Sequence, residues 1–475
     1  MTTNCGLGCA ALRVVTVGLA VLLHGAFCLS QTTISLSVGS GPPTTKVQVS
    51  GSGFPVNAAV NIYFDGGREA VATANGSGSF SGVTIRVPSS ALPGDHAVKA
   101  TPAKGGASAH AKFLVRTDWA EFHRSNMRRW NQYENVINTG NVGTLQLKWS
   151  YATPFPVICS PSVAKGIVYI ASEFTLYALD AATGHQLWSY AAGSNFYNSP
   201  TVVNGVVYFA SREKVYALNA TTGKVIWTDT FSGGGNWFLP IVADGVVYVS
   251  ENGLLYALDA NTGATLWSDE IGTGGHVVES SPAVVNGVLY VGSGDGNVYA
   301  LDAKTGAVIW IYAMRDYSYS SPAVADGVVY IGSRDSSVYA LDATTGALVW
   351  NSAISSIGGI GSSPAVADGV VYIGSYPANN VYAFNATTGV LVWDYINNQS
   401  FHSSPAVANG VVYVGSLDFN LYAFDASTGT LLWNYMTGGQ VISSPIVADG
   451  VVYAGSGDGK VYAFGLPGGA GRATP

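Results

Sequence analysis

Short apolar runs separated by polar turns recur along most of this chain. Within the segment Ser321–Trp350 the runs are Ser321–Ala325, Val328–Ser333, Ser337–Asp342 and Ala347–Trp350. The Asp326-Gly327 pair between the first two runs supplies the positive φ angles of a tight hairpin turn. Each run is rich in β-branched and aromatic residues, which favours strands. The pattern therefore predicts four antiparallel strands, with apolar stretches typical of sheets buried on both faces.

This unit recurs with a period of about forty residues. It ends in the phrase Ala-x-Asp-x-x-x-Gly-x-x-x-Trp, first seen from Ala178 to Trp188, and successive tryptophans lie 39 to 43 residues apart. The tryptophans are Trp149, Trp188, Trp227, Trp267, Trp310, Trp350, Trp393 and Trp433. We interpret them as structural residues that bridge neighbouring sheets. The glycine then serves the turn before each tryptophan, and the aspartate caps turn amides.

Four antiparallel strands per forty residues predict the blades of a β-propeller. First strands begin at eight positions, namely Ser160, Ser199, Leu239, Ser281, Ser321, Ser363, Ser404 and Ser444. The last repeat stops after Phe464 and lacks a fourth strand, whereas the upstream segment Leu145–Trp149 reads as a strand without a blade. We therefore expect an all-β chain with an eight-bladed propeller over residues 143–466. Its N-terminal strand completes the last blade and removes open sheet edges.

The propeller is preceded by an N-terminal segment, a sandwich and a connector, and it is followed by a short tail. Residues 31–116 lack the forty-residue period and contain short strands at Lys46–Ser50, Val60–Phe64, Phe80–Val87, His96–Ala100 and Lys112–Val115. This spacing predicts a small β-sandwich. The segments Gly51–Pro55, Asn75–Phe80 and Pro93–His96 resemble immunoglobulin-like (Ig-like) modules of bacterial exported proteins. Residues 117–142 are expected to form a packed connector, and residues 467–475 a flexible tail.

The N-terminus reads as an export signal over residues 1–30. Arg13 is the only charge before the apolar run Val14–Phe27, and small residues then lead to a plausible cleavage site after Ser30. The run is too short to span a bilayer, and we expect no transmembrane segment. The protein would be periplasmic, secreted or on the cell surface. The first three of its four cysteines leave with the signal, and Cys159, beside an apolar strand, is expected to be a buried inert thiol.

Charge narrows the possible partners. Charged residues make up only 10% of the chain, and the net charge is −7 without a basic cluster. Nucleic-acid binding is therefore not expected. We expect a monomer.

The repeated phrase resembles the tryptophan-docking repeat of quinoprotein dehydrogenases, which use pyrroloquinoline quinone (PQQ). It equally resembles that of non-catalytic BamB-type outer-membrane assembly lipoproteins. The dehydrogenase resemblance implies particular site residues. In it, Trp237 would lie under the quinone, Glu213 and Asn252 would bind calcium, and Glu279 would be the catalytic base.

Several dehydrogenase features are absent. Asn198-Ser199-Pro200 replaces the adjacent cysteines, Gly294-Asp295-Gly296 replaces an expected basic residue, and no Cys-x-x-Cys-His haem motif occurs. The matches also have structural explanations. Trp237 is then an aromatic of the rim, Glu213 belongs to an exposed charged run, and Glu279 is a rim carboxylate.

Functional side chains are expected on the propeller face with variable loops. That face carries Phe196, Tyr197, Phe238, His276, Tyr317, Tyr319, Phe401 and His402. The leading hypothesis is a non-catalytic binding or scaffold module that takes a protein, peptide or sugar ligand through these residues. The alternative is an alcohol dehydrogenase that depends on PQQ and calcium. A third hypothesis is an adhesive or structural surface protein. Whether the aromatics bind a ligand or only plug the axial channel stays open.

Overall fold

A computed structural model describes residues 31–120, 129–195, 198–230, 239–251, 253–272, 280–354, 359–376 and 378–468. Apart from a single 3-10 turn at Val142–Thr144, the regular structure of these residues consists of strands β1 to β41. The chain is therefore all-β in its described part. No helical segment among these residues has the length and hydropathy needed to cross a membrane.

The N-terminal region forms two sheets over one apolar core. Its strands are β1 (Thr33–Leu36), β2 (Ser40–Gly41), β3 (Lys46–Ser52), β4 (Ala59–Phe64), β5 (Gly67–Thr73), β6 (Phe80–Arg86), β7 (Gly94–Pro102) and β8 (Ala109–Val115). One sheet has the order β1-β3-β6 and the other the order β2-β8-β7-β4-β5. Alternate residues such as Val60, Ile62 and Val98 point inwards and are fully buried. The five strands expected here are present, and β1, β2 and β5 were not foreseen.

The described residues that follow form eight sheets, each with four antiparallel strands, and one of these sheets gains a short parallel strand. We number these blades 1 to 8. The short strand β9 (Trp130–Asn131) and the strand β10 (Gln146–Ala152) precede them in the chain. Blades 1 to 4 contain β11 (Ser162–Ala164), β12 (Ile167–Ser172), β13 (Thr175–Asp180), β14 (Gln186–Ala191); β15 (Thr201–Val203), β16 (Val206–Ala210), β17 (Lys214–Asn219), β18 (Val225–Thr230); β19 (Ile241–Ala243), β20 (Val246–Glu251), β21 (Leu254–Asp259), β22 (Thr265–Glu270); and β23 (Ala283–Val285), β24 (Val288–Gly292), β25 (Asn297–Asp302), β26 (Val308–Ala313).

Blades 5 to 8 continue the same order. They contain β27 (Ala323–Ala325), β28 (Val328–Gly332), β29 (Ser337–Asp342), β30 (Leu348–Ala353); β31 (Ala365–Ala367), β32 (Val370–Gly374), β33 (Asn380–Asn385), β34 (Leu391–Ile396); β35 (Ala406–Ala408), β36 (Val411–Gly415), β37 (Asn420–Asp425), β38 (Leu431–Met436); and β39 (Ile446–Ala448), β40 (Val451–Ser456), β41 (Lys460–Gly465). In blade 8 the fourth position is filled by β10, which pairs with β41. The upstream strand thus closes the last blade, as the sequence predicts.

Serine hydroxyls link the inner strands into a ring. The amide N–H of Ser321 donates to Ser363 Oγ at 3.0 Å, and the same contact recurs between several neighbouring blades. Ser444 of blade 8 donates to Ser160 Oγ of blade 1 at 3.0 Å, which closes the circle. Blade 3 has Leu239 at this position, which offers no hydroxyl.

In seven of the eight blades a tyrosine and a tryptophan both donate to one carbonyl oxygen of the next blade, whereas in blade 7 only the tryptophan does. In blade 5, Tyr330 Oη and Trp350 Nε1 both donate to the carbonyl oxygen of Ala386 in blade 6, at 3.1 and 2.9 Å. The indole also lies against the turn glycine, Gly389, because a Cβ there would come within 2.6 Å of the ring. This glycine has φ of +71°, so that two independent constraints exclude a side chain. The sequence identified the tryptophan and the glycine but not the tyrosine.

The connector lies along the inner strands of blades 1, 7 and 8. Trp119 pairs with Val163 of blade 1, and β9 adds a parallel strand to β35 of blade 7. Arg129 is fully buried, and its guanidinium donates to the carbonyl oxygens of Ser404, Pro405 and Pro445. Burial lowers the pKa of Arg129 to about 9, which still leaves it charged at neutral pH. Main chain and a buried cation thus line this side of the channel.

Candidate functional site

Antiparallel order gives the propeller two unlike faces. Loops that enter the first strands and loops between the second and third strands lie on one face, which we call the entry face. The other loops form the turn face. On the turn face, Asn409 Nδ2 donates to the Ile137 carbonyl and Thr117 N donates to Asp449, so the connector is docked there. Asn135 of the connector donates to Ala91 of the N-terminal sandwich at 3.0 Å. The sandwich therefore adjoins the turn face.

The entry face carries two groups of contacting side chains across blades 5 to 7. We call Tyr317, Tyr319, Arg334, Tyr376 and His402 the aromatic arc. The Arg334 guanidinium carbon lies 5.4 Å from the Tyr317 ring centroid and 5.9 Å from that of Tyr319. The Tyr376 and His402 rings meet edge to face, with centroids 5.2 Å apart. Such a group combines flat apolar surface with a cation and ring nitrogens, which suits recognition of a ligand.

Loop contacts hold the arc in place. Arg334 N donates to the Tyr317 carbonyl at 2.9 Å, and Tyr376 N donates to the Gly359 carbonyl at 3.3 Å. Although His402 is open to solvent, neighbouring atoms desolvate its ring and lower the pKa of His402. The imidazole is therefore mostly neutral at pH 7, which leaves Arg334 as the cation of the arc.

Four large aromatic side chains of the entry face are exposed. They are Phe155, Tyr319, Tyr376 and Phe419, each between 39% and 43% exposed. Phe419 directly precedes β37 and has φ of +77°. The equivalent residues before β25, β29, β33 and β41 are Gly296, Ser336, Asn379 and Gly459, all with positive φ. A phenylalanine in this conformation is strained, and such strain is found mostly where it serves a function.

Three aspartates of the entry face accept hydrogen bonds from tyrosines of their own blades. Tyr299 Oη donates to Asp295 at 2.6 Å, and the same pairing joins Tyr422 to Asp418 and Tyr462 to Asp458. Burial opposes ionisation of Asp295, but hydrogen bonds from Tyr299, Asn297 and Ser293 outweigh it and hold the pKa of Asp295 below its usual value. Hydrogen bonds likewise lower the pKa of Asp418, so Asp295 and Asp418 stay ionised, and all three carboxylates fix loop conformation. They are not free for acid–base chemistry.

Phe401 does not belong to the binding face. Its side chain is fully buried and packs against Tyr395 and Tyr422, so that the sequence expectation for this residue was wrong. The equivalent residues Val157, Ile360 and Val441, each three positions before a ring serine, are also fully buried. An alignment of the repeats on these serines would have revealed the inward position. His402, one residue later, is exposed.

Most residues of the quinoprotein hypothesis lie outside the described residues. These are Trp237, Asn252 and Glu279, together with Phe196, Tyr197, Phe238 and His276 of the expected binding face. Glu213 is described and is exposed in the loop between β16 and β17, where its main-chain N–H meets Ser211 Oγ at 3.4 Å. Among the described residues, no cluster of three or more His, Cys, Asp or Glu side chains has metal-binding geometry.

The geometry defines a class: a closed β-propeller of tryptophan-clamped blades with one variable, aromatic face. The family described as outer membrane protein assembly factor BamB matches residues 130–214, 210–317, 251–395 and 378–470, and the chain belongs to this family. No curated protein sequence matches the chain significantly.

Solved structures show the same fold. Quinohemoprotein alcohol dehydrogenase from Comamonas testosteroni is 19% identical, with a TM-score of 0.67 over 76% of this chain and 82% of that one. BamB from Moraxella catarrhalis is 22% identical, with a TM-score of 0.58 over 68% of this chain and 100% of that one. The computationally designed Ika8 protein is 18% identical, with a TM-score of 0.61 over 68% of this chain and 100% of that one. An enzyme, an assembly factor and a designed protein share this architecture. The similarity therefore establishes the fold of the chain and not its activity.

Proposed function

We propose that this chain is an exported, non-catalytic binding module whose entry face holds a protein, peptide or sugar ligand. The N-terminal sandwich, in this proposal an Ig-like module, spaces the propeller from its attachment or partner. The observation that carries the proposal is Phe419, an exposed aromatic kept in a strained conformation where five other blades have Gly, Ser or Asn. Strain without benefit to folding is expected at a ligand contact.

Domain placement supports the same face. The connector occupies the turn face through contacts such as Thr117–Asp449, and it holds the sandwich through Asn135–Ala91. The described part of the entry face carries no comparable cover, and its exposed aromatics Tyr319, Tyr376 and Phe419 lie on blades 5, 6 and 7. A ligand can therefore reach several rings at once.

The PQQ-dependent dehydrogenase has no specific support from the described residues. The described Glu213 is exposed on its loop, and the connector with Arg129 and Trp119 lies along the inner strands of blades 1, 7 and 8. The relatives of known structure are under 25% identical and speak for the fold alone.

The test compares ligand binding of the wild-type chain and a Tyr376→Ser/Phe419→Asn variant on defined arrays of oligosaccharides and peptides. We expect wild type to bind at least one class and the variant to lose about tenfold or more in affinity, because stacking rings are gone. Val349→Ser, an exposed apolar site on the outer strand β30, is the control and should bind normally.

Two results would overturn the proposal. One is equal binding by the wild type and the double variant. The other is dye reduction with an alcohol after addition of PQQ and calcium, which would establish the enzyme instead.

A further inference from the structure

Arg334 is a cation without a polar partner in the described part of the chain. Its guanidinium lies over two tyrosine rings, and no hydrogen bond or ion pair to another described residue engages its N–H groups. A guanidinium has five donors in a fixed fork that matches a carboxylate. An arginine that is held by ring faces keeps that fork available for a ligand.

The surroundings fix Arg334 in one position. Its main-chain N–H donates to the Tyr317 carbonyl at 2.9 Å. Gly359 of the neighbouring entry loop packs against it so closely that a Cβ there would lie 2.5 Å from Arg334 Cδ and 2.8 Å from its Cα. The Tyr317 and Tyr319 rings meet edge to face, with centroids 5.1 Å apart. Little side-chain entropy is then left to lose when a ligand binds.

Nearby carboxylates do not neutralise this cation. Asp335 accepts hydrogen bonds from Tyr339 Oη and Ser337 N, and Asp316 accepts one from Tyr317 N at 2.9 Å. Burial, followed by the hydrogen bond to Asp335, raises the pKa of Tyr339 to about 12, so this hydroxyl remains a donor to Asp335 at neutral pH. These oxygens face their own loops. They therefore do not compete with a carboxylate of the ligand for Arg334.

The exposed rings indicate the rest of the ligand. Tyr319, Tyr376 and Phe419 belong to three successive blades and are separate rings rather than one apolar groove. Separate flat rings suit the faces of successive pyranose units. A peptide that binds by strand addition needs a free strand edge, whereas this face consists of loops.

We propose that the aromatic arc binds an oligosaccharide that contains a uronic acid. The sugar carboxylate pairs with the Arg334 fork, and neighbouring pyranose rings stack on Tyr319 and Tyr376. This inference rests on the proposed function of the entry face and names its ligand class.

The test uses an array of uronic-acid oligosaccharides with galacturonate, glucuronate and mannuronate units, their carboxyl-reduced counterparts, and hexaglutamate. We expect wild type to bind at least one acidic sugar, and its reduced counterpart about tenfold or more weakly, because a charge-assisted bidentate contact is lost. Arg334→Met should weaken binding of the acid to the same extent and leave the reduced sugar unaffected. Arg334→Lys should recover only part of the affinity, because lysine lacks the fork.

Two further variants serve as controls for the role of Arg334. Lys304→Met removes a cation from an exposed turn of the opposite face and should leave binding unchanged. Gly359→Ala should imitate Arg334→Met by displacing the arginine without removing it. Circular dichroism and thermal unfolding show whether each variant is folded.

The outcomes separate this inference from the proposed function. Equal binding of acidic and reduced sugars, or an Arg334→Met variant that binds the acid normally, overturns the carboxylate site and leaves entry-face binding intact. Preference for hexaglutamate overturns the sugar and favours an acidic peptide. Absence of binding to any sugar or peptide overturns both.

Discussion

The two faces of the propeller follow opposite rules. On the turn face, Asp342 accepts hydrogen bonds from Thr344 N and Thr345 N, and Asn219 and Asn385 do the same in their blades. On the entry face, the residue before the third strand is Gly, Ser, Asn, Glu or Phe in different blades. The turn face repeats one solution to a folding problem. The entry face varies in sequence at positions where folding does not require a particular residue.

This difference separates stability from binding within one repeat. The clamp residues bury apolar area and satisfy polar atoms, and we expect their loss to unfold the protein without affecting ligand chemistry. The entry-face residues contribute little to the fold, and we expect their loss to affect binding alone. The following substitutions test this division, from the largest expected effect to the smallest.

The largest effect is expected for Trp310→Ala. The indole is 8% exposed, donates to the Ala343 carbonyl at 3.0 Å and packs against Gly346. Its removal leaves a cavity between blades 4 and 5 and should lower the free energy of unfolding by about 3–5 kcal/mol. Chemical denaturation measures this. Ile309→Ala, at a neighbouring exposed position, should change stability by less than about 0.5 kcal/mol.

A comparable loss in Ile309→Ala would contradict the clamp. So would reduced ligand affinity in Trp310→Ala under conditions where the variant is folded.

Glu134→Ala tests how the connector is docked on the turn face. The buried carboxylate accepts hydrogen bonds from the N–H groups of Val136, Ile137 and Gly450, and from Thr117 Oγ1. Burial is the main reason that the pKa of Glu134 is raised. Alanine leaves buried donors unpaired and should cost about 2–4 kcal/mol. Glu134→Gln keeps acceptor oxygen and should cost less, and equal costs for both variants would contradict this role.

Two tyrosine variants compare the contact between blades 5 and 6 with the contact between blades 7 and 8. Blade 8 differs from the others because its fourth strand comes from upstream in the chain. Tyr330 Oη is bonded to the Ala386 carbonyl, whereas the buried Tyr413 Oη has no hydrogen-bond partner within the described structure. Blade 8 takes β10 from upstream and so lacks the turn that supplies this carbonyl, and Trp433 donates to Leu145 instead. Tyr330→Phe should cost about 1 kcal/mol, while Tyr413→Phe should be neutral or stabilising by up to about 1 kcal/mol.

Thermal and chemical unfolding of both variants measure these changes in the free energy of unfolding. A cost for Tyr413→Phe as large as that for Tyr330→Phe would show that the two joints are equivalent.

The sequence predicted the turn face better than the entry face, for a physical reason. Trp188 and its equivalents recur because every joint needs the same contact, and Leu145–Trp149 was recognisable as a strand because the last repeat lacked one. Tyr330 was missed as a clamp, since a tyrosine in an apolar strand also suits simple burial. Phe401 was misplaced, because loop position alone does not tell which of two adjacent residues faces the core. The contacts of Arg129 with the inner strands could not be predicted, because the connector is not part of the repeat and has no periodic pattern.

The smallest effect is expected at Phe419, where stability and binding should move in opposite directions. Asn tolerates positive φ, as Asn379 does before β33, so Phe419→Asn should relieve strain and stabilise by about 0.5–1 kcal/mol. The reciprocal Asn379→Phe should destabilise by a similar amount. The melting temperatures of the two variants, measured beside wild type, check these signs. A Phe419→Asn variant that is less stable than wild type would mean that the ring contributes to the fold. Because this substitution should raise stability and lower affinity together, it separates a residue kept for binding from one kept for folding.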